Sequence, residues 1–282
     1  MSMRIMSLNE LKLYEALAKL IGVEGGVWQL TSSGAESTTQ VVFAHYFQEA
    51  RLEGKNQFIM RECFLEKLSC VVKQPQADLS SIITARTALI SLEIADSFSG
   101  VLIPWELTAA LCCEKKIPLH VDVTEAIGFM PISLQADYIS FDASKLGVVG
   151  LGALWSKNQV RPLIYGQRFF NDILVKELFN NVQKVLENIS SKSLEIARLR
   201  KHFEQVSESL GAHILGKDLP RVPHKSYLAF DKIHPNALAF YLQEEGIECI
   251  EGPQGVSFSI SEDFNPDIKQ AVSFLREVSK DL

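Results

Sequence analysis

An aspartate and a lysine occupy positions where side chains could carry out covalent chemistry. Asp122 closes a predicted strand over Leu119–Val121, and ligands of open α/β sheets bind at the carboxyl ends of such strands. Lys145 follows 23 positions later, in a predicted turn between two strands. A lysine amine can condense with an aldehyde to a Schiff base with loss of water, and an aspartate can hold a protonated ring nitrogen. Each also has an ordinary alternative, Lys145 as a solvated surface charge and Asp122 as the cap of a helix near Thr124.

A third candidate lies at a strand-to-helix junction, where Ser32-Ser33-Gly34 follows a predicted strand over Val27–Leu30. A helix that begins there presents unpaired N–H groups and the positive end of its dipole, which suits a phosphate. The alternative is that Ser32 or Ser33 only caps the helix. The sequence leaves both readings open.

Short apolar strands alternate with amphipathic helices through the first part of the chain, which indicates a parallel, doubly wound sheet. After Arg168 the pattern becomes helical to about Leu210, in two stretches that meet near Ser190-Ser191, and then resembles a small α+β unit. The remaining predicted strands are Gln57–Met60, Thr87–Leu92, Tyr138–Phe141, Ala153–Ser156, Ser226–Phe230, Glu248–Ile250 and Gly255–Ile260, and the predicted helices include Met6–Ile21, a helix from Gly34 to about Glu53, Pro104–Glu114, Pro235–Glu245 and Pro266–Lys280.

Composition excludes several classes of function. The net charge of −6 and the absence of basic runs leave no electrostatic footprint for a nucleic acid. The apolar runs are too short for a membrane span, and the N-terminus lacks the apolar core of a signal peptide. Five cysteines without a C-x-x-C pair are typical of reduced thiols. We therefore expect a cytoplasmic protein.

The combination of Asp122 and Lys145 is more specific than either residue alone. The stretch HVDVTEAIGFMPISLQADYISFDASKLGVVGLGALW resembles the cofactor-binding core of the cysteine desulfurases, which belong to the class V aminotransferase family. TSSGAESTTQ, RTALISLEIADSFSG and the segment from Pro220 onward resemble further parts of these NifS-like proteins. The resemblance implies an α/β fold of type I, as in pyridoxal-phosphate (PLP) enzymes, with a mostly parallel sheet in a large domain (1–168, lacking the family's N-terminal segment). A helical connector and a small α+β domain would follow in 169–282.

The resemblance also implies roles for individual residues. Lys145 would be the Schiff-base lysine and Asp122 the partner of the pyridine nitrogen of PLP. The other positions that match cofactor contacts of the family are Ser33, Gly34, Ala35, Cys63, Asp96 or Ser97, Glu125, Asp142 and Ser144.

Many of these positions depart from the family pattern. A phosphate-binding threonine is replaced by Ala35, and the serine and histidine before the lysine are replaced by Asp142 and Ser144. A stacking histidine matches Cys63, and a glutamine matches Glu125. A carboxylate beside a phosphate dianion is repulsive.

Two further departures concern the substrate. The family's arginine for the substrate carboxylate is Ser257 here, and EGPQG joins two strands directly where the family has a mobile loop with the cysteine nucleophile. Cys249 lies in the preceding strand and does not match that nucleophile.

Three hypotheses follow. The first is a degenerate desulfurase-like homodimer that acts by binding a protein partner in sulfur or iron–sulfur metabolism. The second is an active PLP-dependent lyase or aminotransferase that uses Lys145 and Asp122. Its anion ligands would come from Arg86, Lys157, Arg161 or Arg168. The third is an acidic pocket for a cation or amine, formed by Asp122, Glu125 and Asp142.

Overall fold

The structure is a computed structural model that describes residues 7–60, 71–73, 79–160 and 171–262. The chain divides into two compact units. The first runs to Ile94 and continues over Ile103–Glu187, and the second comprises Ala95–Leu102 and the chain from Asn188. The boundary predicted between residues 168 and 169 lies outside the described residues.

The described elements alternate as the sequence indicates. The helices are α1 (Leu8–Ile21), α2 (Gly34–His45, followed by a π-helical turn at Tyr46–Ala50), α3 (Trp105–Lys115), α4 (Asp172–Ser209) and α5 (Pro235–Glu244), with 3-10 turns at Leu79–Ser81 and Ala143–Leu146. The strands are β1 (Val27–Thr31), β2 (Gln57–Met60), β3 (Val71–Lys73), β4 (Thr87–Glu93), β5 (Leu119–Asp122), β6 (Tyr138–Asp142), β7 (Gly152–Ser156), β8 (Ala212–Ile214), β9 (Lys225–Phe230), β10 (Ile250–Glu251) and β11 (Val256–Ser259).

A seven-stranded sheet in the order β1-β7-β6-β5-β4-β2-β3 forms the centre of the first unit. Strands β3, β2, β4, β5 and β6 are parallel, whereas β7 runs antiparallel to both of its neighbours. Apolar side chains of the parallel strands, including Ile90, Val121 and Phe141, are fully buried, as expected for strands covered on both faces. The carboxyl ends of β4, β5 and β6 therefore meet at one edge.

Strand β7 sets the position of α2. Gly152 is in register with Thr31 of β1 on one side and with Asp142 of β6 on the other. A Cβ atom added at Gly152 would collide with the carbonyl group of Ser33, the residue that caps α2. The glycine thus lets the start of α2 approach the end of β6.

The second unit contains an antiparallel sheet in the order β10-β11-β9-β8. Beneath it lies a buried ionic cluster, in which Arg221 donates two hydrogen bonds of 2.7 and 3.1 Å to Glu204. Ser226 donates a third bond of 2.9 Å to the same carboxylate, and Arg200 lies 3.9 Å from it. One carboxylate therefore balances two guanidinium groups.

The structure differs from the sequence predictions in several elements. The two helical stretches expected to meet near Ser190-Ser191 form one helix, α4, and within it the Ser191 hydroxyl bonds back to the Asn188 carbonyl at 2.9 Å. The mostly parallel sheet is confirmed, whereas β3 and β8 were not predicted. The helix expected to reach Glu53 becomes π-helical after His45. The predicted helix over 266–280 lies outside the described residues.

No helix in the described ranges has the length and apolar character needed to cross a membrane.

Replacing Glu204 should destabilise the protein more than replacing Arg221. Glu204→Gln leaves two buried guanidinium groups without their carboxylate, and removing one partner of a buried ion pair costs about 3–5 kcal/mol. Arg221→Met leaves Glu204 with Arg200 and Ser226 as partners, so we expect a smaller loss. Urea unfolding followed by circular dichroism measures both free energies of unfolding.

The control is Lys217→Met, which removes an exposed ion pair with Glu208 and should leave the urea midpoint unchanged. Equal losses in Glu204→Gln and Arg221→Met would contradict the assignment of Glu204 as the shared carboxylate.

Candidate functional site

The candidate site lies at the carboxyl edge of the sheet in the first unit. Asp122 and Asp142 are the last residues of the adjacent strands β5 and β6, and Lys145 lies in the 3-10 turn that follows β6. The N-terminus of α2 approaches the same edge, since the Gly34 N–H bonds to Asp142. This edge of the sheet brings together the predicted catalytic lysine and several predicted cofactor contacts.

Asp122 is the end of a buried chain of hydrogen bonds across three strands. Ser140 donates to its Oδ2 at 2.6 Å, and His120 Nε2 lies 2.9 Å from the Ser140 hydroxyl. Ser91 Oγ lies 2.7 Å from His120 Nδ1. Because the Ser140 proton is given to Asp122, the Ser140 oxygen accepts from Nε2–H, and Nδ1 accepts from Ser91. The chain thus fixes the proton of a neutral His120 on Nε2.

Burial controls the protonation of both ionisable groups in this chain. It lowers the pKa of His120 to about 3, so the imidazole is neutral at physiological pH. Burial also raises the pKa of the Asp122 carboxyl, against hydrogen bonds from Ser140 and Thr124 that favour the charged form. The Thr124 N–H donates to Asp122 Oδ1 at 3.0 Å. The residues after Asp122 form turns rather than the predicted α-helix, so Asp122 caps a turn.

Lys145 has a carboxylate partner. Its Nζ atom lies 3.4 Å from Glu125 Oε1, and the two side chains are 26% and 18% exposed. A Schiff base requires a neutral amine, so Lys145 must leave this contact and lose a proton before it can attack an aldehyde. Glu125 acts as a counter-ion at the place where the family resemblance implies a neutral glutamine.

The Asp142 carboxylate points at the start of α2. Its Oδ2 accepts from the Gly34 N–H and its Oδ1 from the Ser144 N–H, each at 2.9 Å. Burial alone would raise the pKa of this carboxyl, but a hydrogen bond from the Ser144 side chain, the two backbone bonds and the charge of Lys145 outweigh burial and hold the pKa below its ordinary value. Asp142 is therefore an anion at neutral pH.

The other donors at the start of α2 also bond to protein atoms. Ser33 is the N-cap and accepts from the Glu36 N–H at 3.1 Å. The Glu36 carboxylate accepts from the backbone N–H and the hydroxyl of Ser32, at 2.8 and 2.7 Å. Ala35 is exposed and offers only a methyl group. Of the two readings of this junction, the structure shows capping by Ser33.

Two other predicted contacts are described, Asp96 and Ser144. Asp96 belongs to the second unit, where its Oδ1 accepts from the Phe98 and Ser99 N–H groups and the Ser99 hydroxyl. This is a turn-capping role. Ser144 is exposed and donates to the Asp142 carboxylate through its backbone N–H and its side chain. Cys63 lies outside the described residues.

Two substrate-related positions lie in the second unit. Ser257 is buried and donates to the Phe98 carbonyl at 2.7 Å. The Cys249 thiol lies 3.8 Å from the Ala239 carbonyl, and burial raises the pKa of this thiol to about 11. The segment Gly252–Gly255 closes a tight hairpin between β10 and β11, with a bond of 2.9 Å from the Gly252 N–H to the Gly255 carbonyl.

Sequence reasoning missed the polar residues behind Asp122, namely Ser91, His120 and Ser140. A signal was present, because side chains two positions apart in a strand point to the same face. His120 precedes Asp122 by two positions on β5, and Ser140 is in register with Asp122 on β6. The register itself is not readable from the sequence.

The residues present meet part of what PLP requires. Asp122 offers a carboxylate for a ring nitrogen, and Lys145 offers an amine once Glu125 is displaced. At the phosphate end the fit fails, because the Gly34 N–H is taken by Asp142 and the threonine hydroxyl is replaced by Ala35. No reaction step through PLP follows from this arrangement.

Comparisons with known proteins show a similarity to class V aminotransferases. The family model for aminotransferase class-V matches residues 72–181, which include β5, β6 and the turn with Lys145. A cysteine desulfurase of Klebsiella pneumoniae is 28% identical over 65% of this chain and 50% of its own length. Another from Cereibacter sphaeroides is 30% identical, over 60% and 46%. The chain spans about half the length of these two relatives. The cysteine desulfurase IscS of Dictyoglomus turgidum is 24% identical, over 87% and 71%.

Solved structures show the same architecture. A NifS-like protein superposes with a TM-score of 0.84 at 22% identity, over 98% of this chain and 88% of that chain. A NifS-like protein from Rickettsia africae gives 0.82 at 17% identity, over 97% and 88%. At these identities the likeness concerns the fold alone. The family model and the curated relatives show that this chain is similar to the class V aminotransferases and to the cysteine desulfurases among them, and the solved structures show that it has the fold-type-I architecture of NifS-like proteins.

Proposed function

We propose that this chain is a desulfurase-like scaffold that does not release sulfur from cysteine and instead acts by binding a protein partner. The observation that carries the proposal is the Gly252–Gly255 hairpin, which joins β10 directly to β11. The family resemblance implies a mobile loop with the nucleophilic cysteine at this place. A closed four-residue hairpin leaves no room for such a loop.

The described cysteine nearest in sequence to the hairpin is a poor nucleophile. Sulfur transfer requires a thiolate, and a thiol with the raised pKa of Cys249, about 11, is almost wholly protonated at neutral pH. Cys112 is buried, and burial raises the pKa of its thiol to about 12. Neither thiol is suited to attack the sulfur of a substrate.

The position expected to bind a substrate carboxylate is also changed. A bidentate arginine is the usual partner for such a group, and Ser257 here has no positive charge. Its hydroxyl is already donated to the Phe98 carbonyl. A free amino acid would therefore lack its main anchor at this position.

We infer the class of partner from the resemblance to the cysteine desulfurases. A cysteine desulfurase-like scaffold that keeps the fold without the sulfur-transfer residues would pair with a second copy of itself and with a protein of sulfur or iron–sulfur metabolism. The homodimer and this partner are parts of the proposal.

We expect no release of sulfide from L-cysteine. The experiment incubates the protein with PLP, L-cysteine and dithiothreitol and measures sulfide by methylene blue formation, with an active cysteine desulfurase as the positive control. Sulfide should not exceed the protein-free background, and Cys249→Ser should behave like the unchanged protein. Turnover that Cys249→Ser abolishes would sink the proposal.

A second candidate function is an active PLP-dependent lyase or aminotransferase. It is favoured by Asp122, a buried carboxyl at the end of β5 whose burial raises its pKa. Two of the cations proposed as its anion ligands are described: Arg86 is exposed and bonds to Asn56 at 2.9 Å, and Lys157 is exposed. The other two cations, at 161 and 168, lie outside the described residues.

Glu125→Gln should make Lys145 more reactive toward aldehydes, because it removes the counter-ion 3.4 Å from Nζ. The probe is 5′-deoxypyridoxal, which has no phosphate and therefore reports on Lys145 alone. Borohydride reduction followed by peptide mass spectrometry measures the labelled fraction of Lys145. We expect a rise of roughly two- to fivefold, the size of effect typical of a single ion pair open to solvent.

Glu106→Gln, which removes an exposed carboxylate on α3, is the matched control and should leave the labelling unchanged. Lys145→Ala should abolish labelling at this position. Equal labelling in Glu125→Gln and the unchanged protein would show that Glu125 does not restrain the lysine.

The pKa of the Asp122 carboxyl should lie above that of an ordinary aspartate. Ser140→Ala should raise this pKa further, because it removes a hydrogen bond that favours the charged form. Because the folded-state pKa lies above the unfolded value, ionised Asp122 opposes folding. This cost is absent below the unfolded pKa and fully present above the folded pKa. A carbon-detected NMR titration measures both proteins. A pKa at or below the ordinary value of about 3.9 would contradict the assignment.

A further inference from the structure

The end of β6 and the start of α2 are in close contact. A Cβ atom added at Gly34 would lie 3.0 Å from the Asp142 backbone nitrogen and 3.1 Å from the Asp142 Cβ atom. Gly152, which is paired with Asp142 on the neighbouring strand β7, admits the Ser33 carbonyl without space for a methyl group. The first turn of α2 therefore packs tightly against the end of β6 and the start of β7, and no phosphate fits between Gly34 and Asp142.

The same contact satisfies the helix electrostatically. The positive end of a helix dipole attracts an anion, and the Asp142 carboxylate supplies one through its bond to the Gly34 N–H. The charged group that acts on Asp142 is Lys145, in its own turn. At the same helix start, the Glu36 carboxylate accepts from the Ser32 N–H. A phosphate that approached this end would meet carboxylates in place of free donors.

We propose that Asp142 determines ligand specificity at this site: its carboxylate takes the anion position at the start of α2, so that the site rejects phosphorylated aldehydes relative to their phosphate-free analogues. The proposal goes beyond the absence of sulfur release, because it concerns which aldehyde can reach Lys145. It does not depend on Cys249, Ser257 or the hairpin. A result of the sulfide assay therefore neither supports nor removes it.

The experiment compares PLP with 5′-deoxypyridoxal, which differs by the phosphate and cannot form an internal hemiacetal. Borohydride trapping on Lys145 at increasing aldehyde concentration gives a half-saturating concentration for each probe. In the unchanged protein we expect PLP to need at least as high a concentration as 5′-deoxypyridoxal. Asp142→Ala should lower the half-saturating concentration of PLP by about tenfold or more, since it removes a like charge and frees the Gly34 N–H to bind the phosphate. The half-saturating concentration of 5′-deoxypyridoxal should change by less than about twofold.

Two further variants are needed. One tests whether the charge of Asp142 or its bond to Gly34 excludes phosphate, and the other controls for general disruption of the structure. Asp142→Asn keeps an oxygen acceptor for Gly34 but removes the charge, so its preference should lie between those of the unchanged protein and Asp142→Ala. Asp137→Asn is the matched control, because Asp137 also accepts a backbone N–H, that of Leu119 at 3.0 Å, at the start of β5. It should keep the preference of the unchanged protein.

A second readout works even if neither aldehyde labels Lys145. The Gly34 amide signal in an NMR titration with inorganic phosphate should stay fixed in the unchanged protein and move in Asp142→Ala. The proposal is overturned by a Gly34 signal that moves with phosphate in the unchanged protein. A tenfold preference of that protein for PLP, or equal effects of Asp142→Ala on both probes, would also overturn it.

Discussion

The direction of β7 is the constraint on which the site depends. Because β7 is antiparallel to both β1 and β6, those two strands run in the same direction and end at the same edge. Gly152 lies between their last residues, Thr31 and Asp142, and its missing side chain lets the start of α2 close over the gap. A helix start, two strand ends and a lysine turn thus converge without any long loop. The positions of these groups follow from the register of β7 with β1 and β6, and the side chains at those positions determine what the site can bind.

Those side chains place three carboxyl groups and one lysine at this edge of the sheet. Asp122 is held by neutral donors and is expensive to ionise, whereas Asp142 is stabilised as an anion by backbone N–H groups. Glu125 adds a third carboxylate opposite Lys145. The groups at this edge that could face a ligand are thus paired with other groups of the protein.

The sequence predicted most of what depends on local pattern. The strands that end at Asp122 and Asp142 and the turn with Lys145 were predicted within one or two residues, because buried parallel strands have a strong apolar signal. The direction of β7 could not be predicted, since periodicity carries no information on strand polarity. The chain from Ser91 through His120 to Ser140 was missed for a related reason, because it depends on which strands are neighbours. The partnership of Glu125 with Lys145 depends on a tertiary distance, and residue types alone suggested only an acidic pocket.

The filled helix start has a consequence for how the first unit folds. A helix that relies on a bound anion gains stability that grows with the logarithm of the anion concentration. Here the Asp142 carboxylate supplies the negative charge at the start of α2, and Ser33 supplies the cap. The stability of this helix start therefore does not depend on the concentration of a free anion.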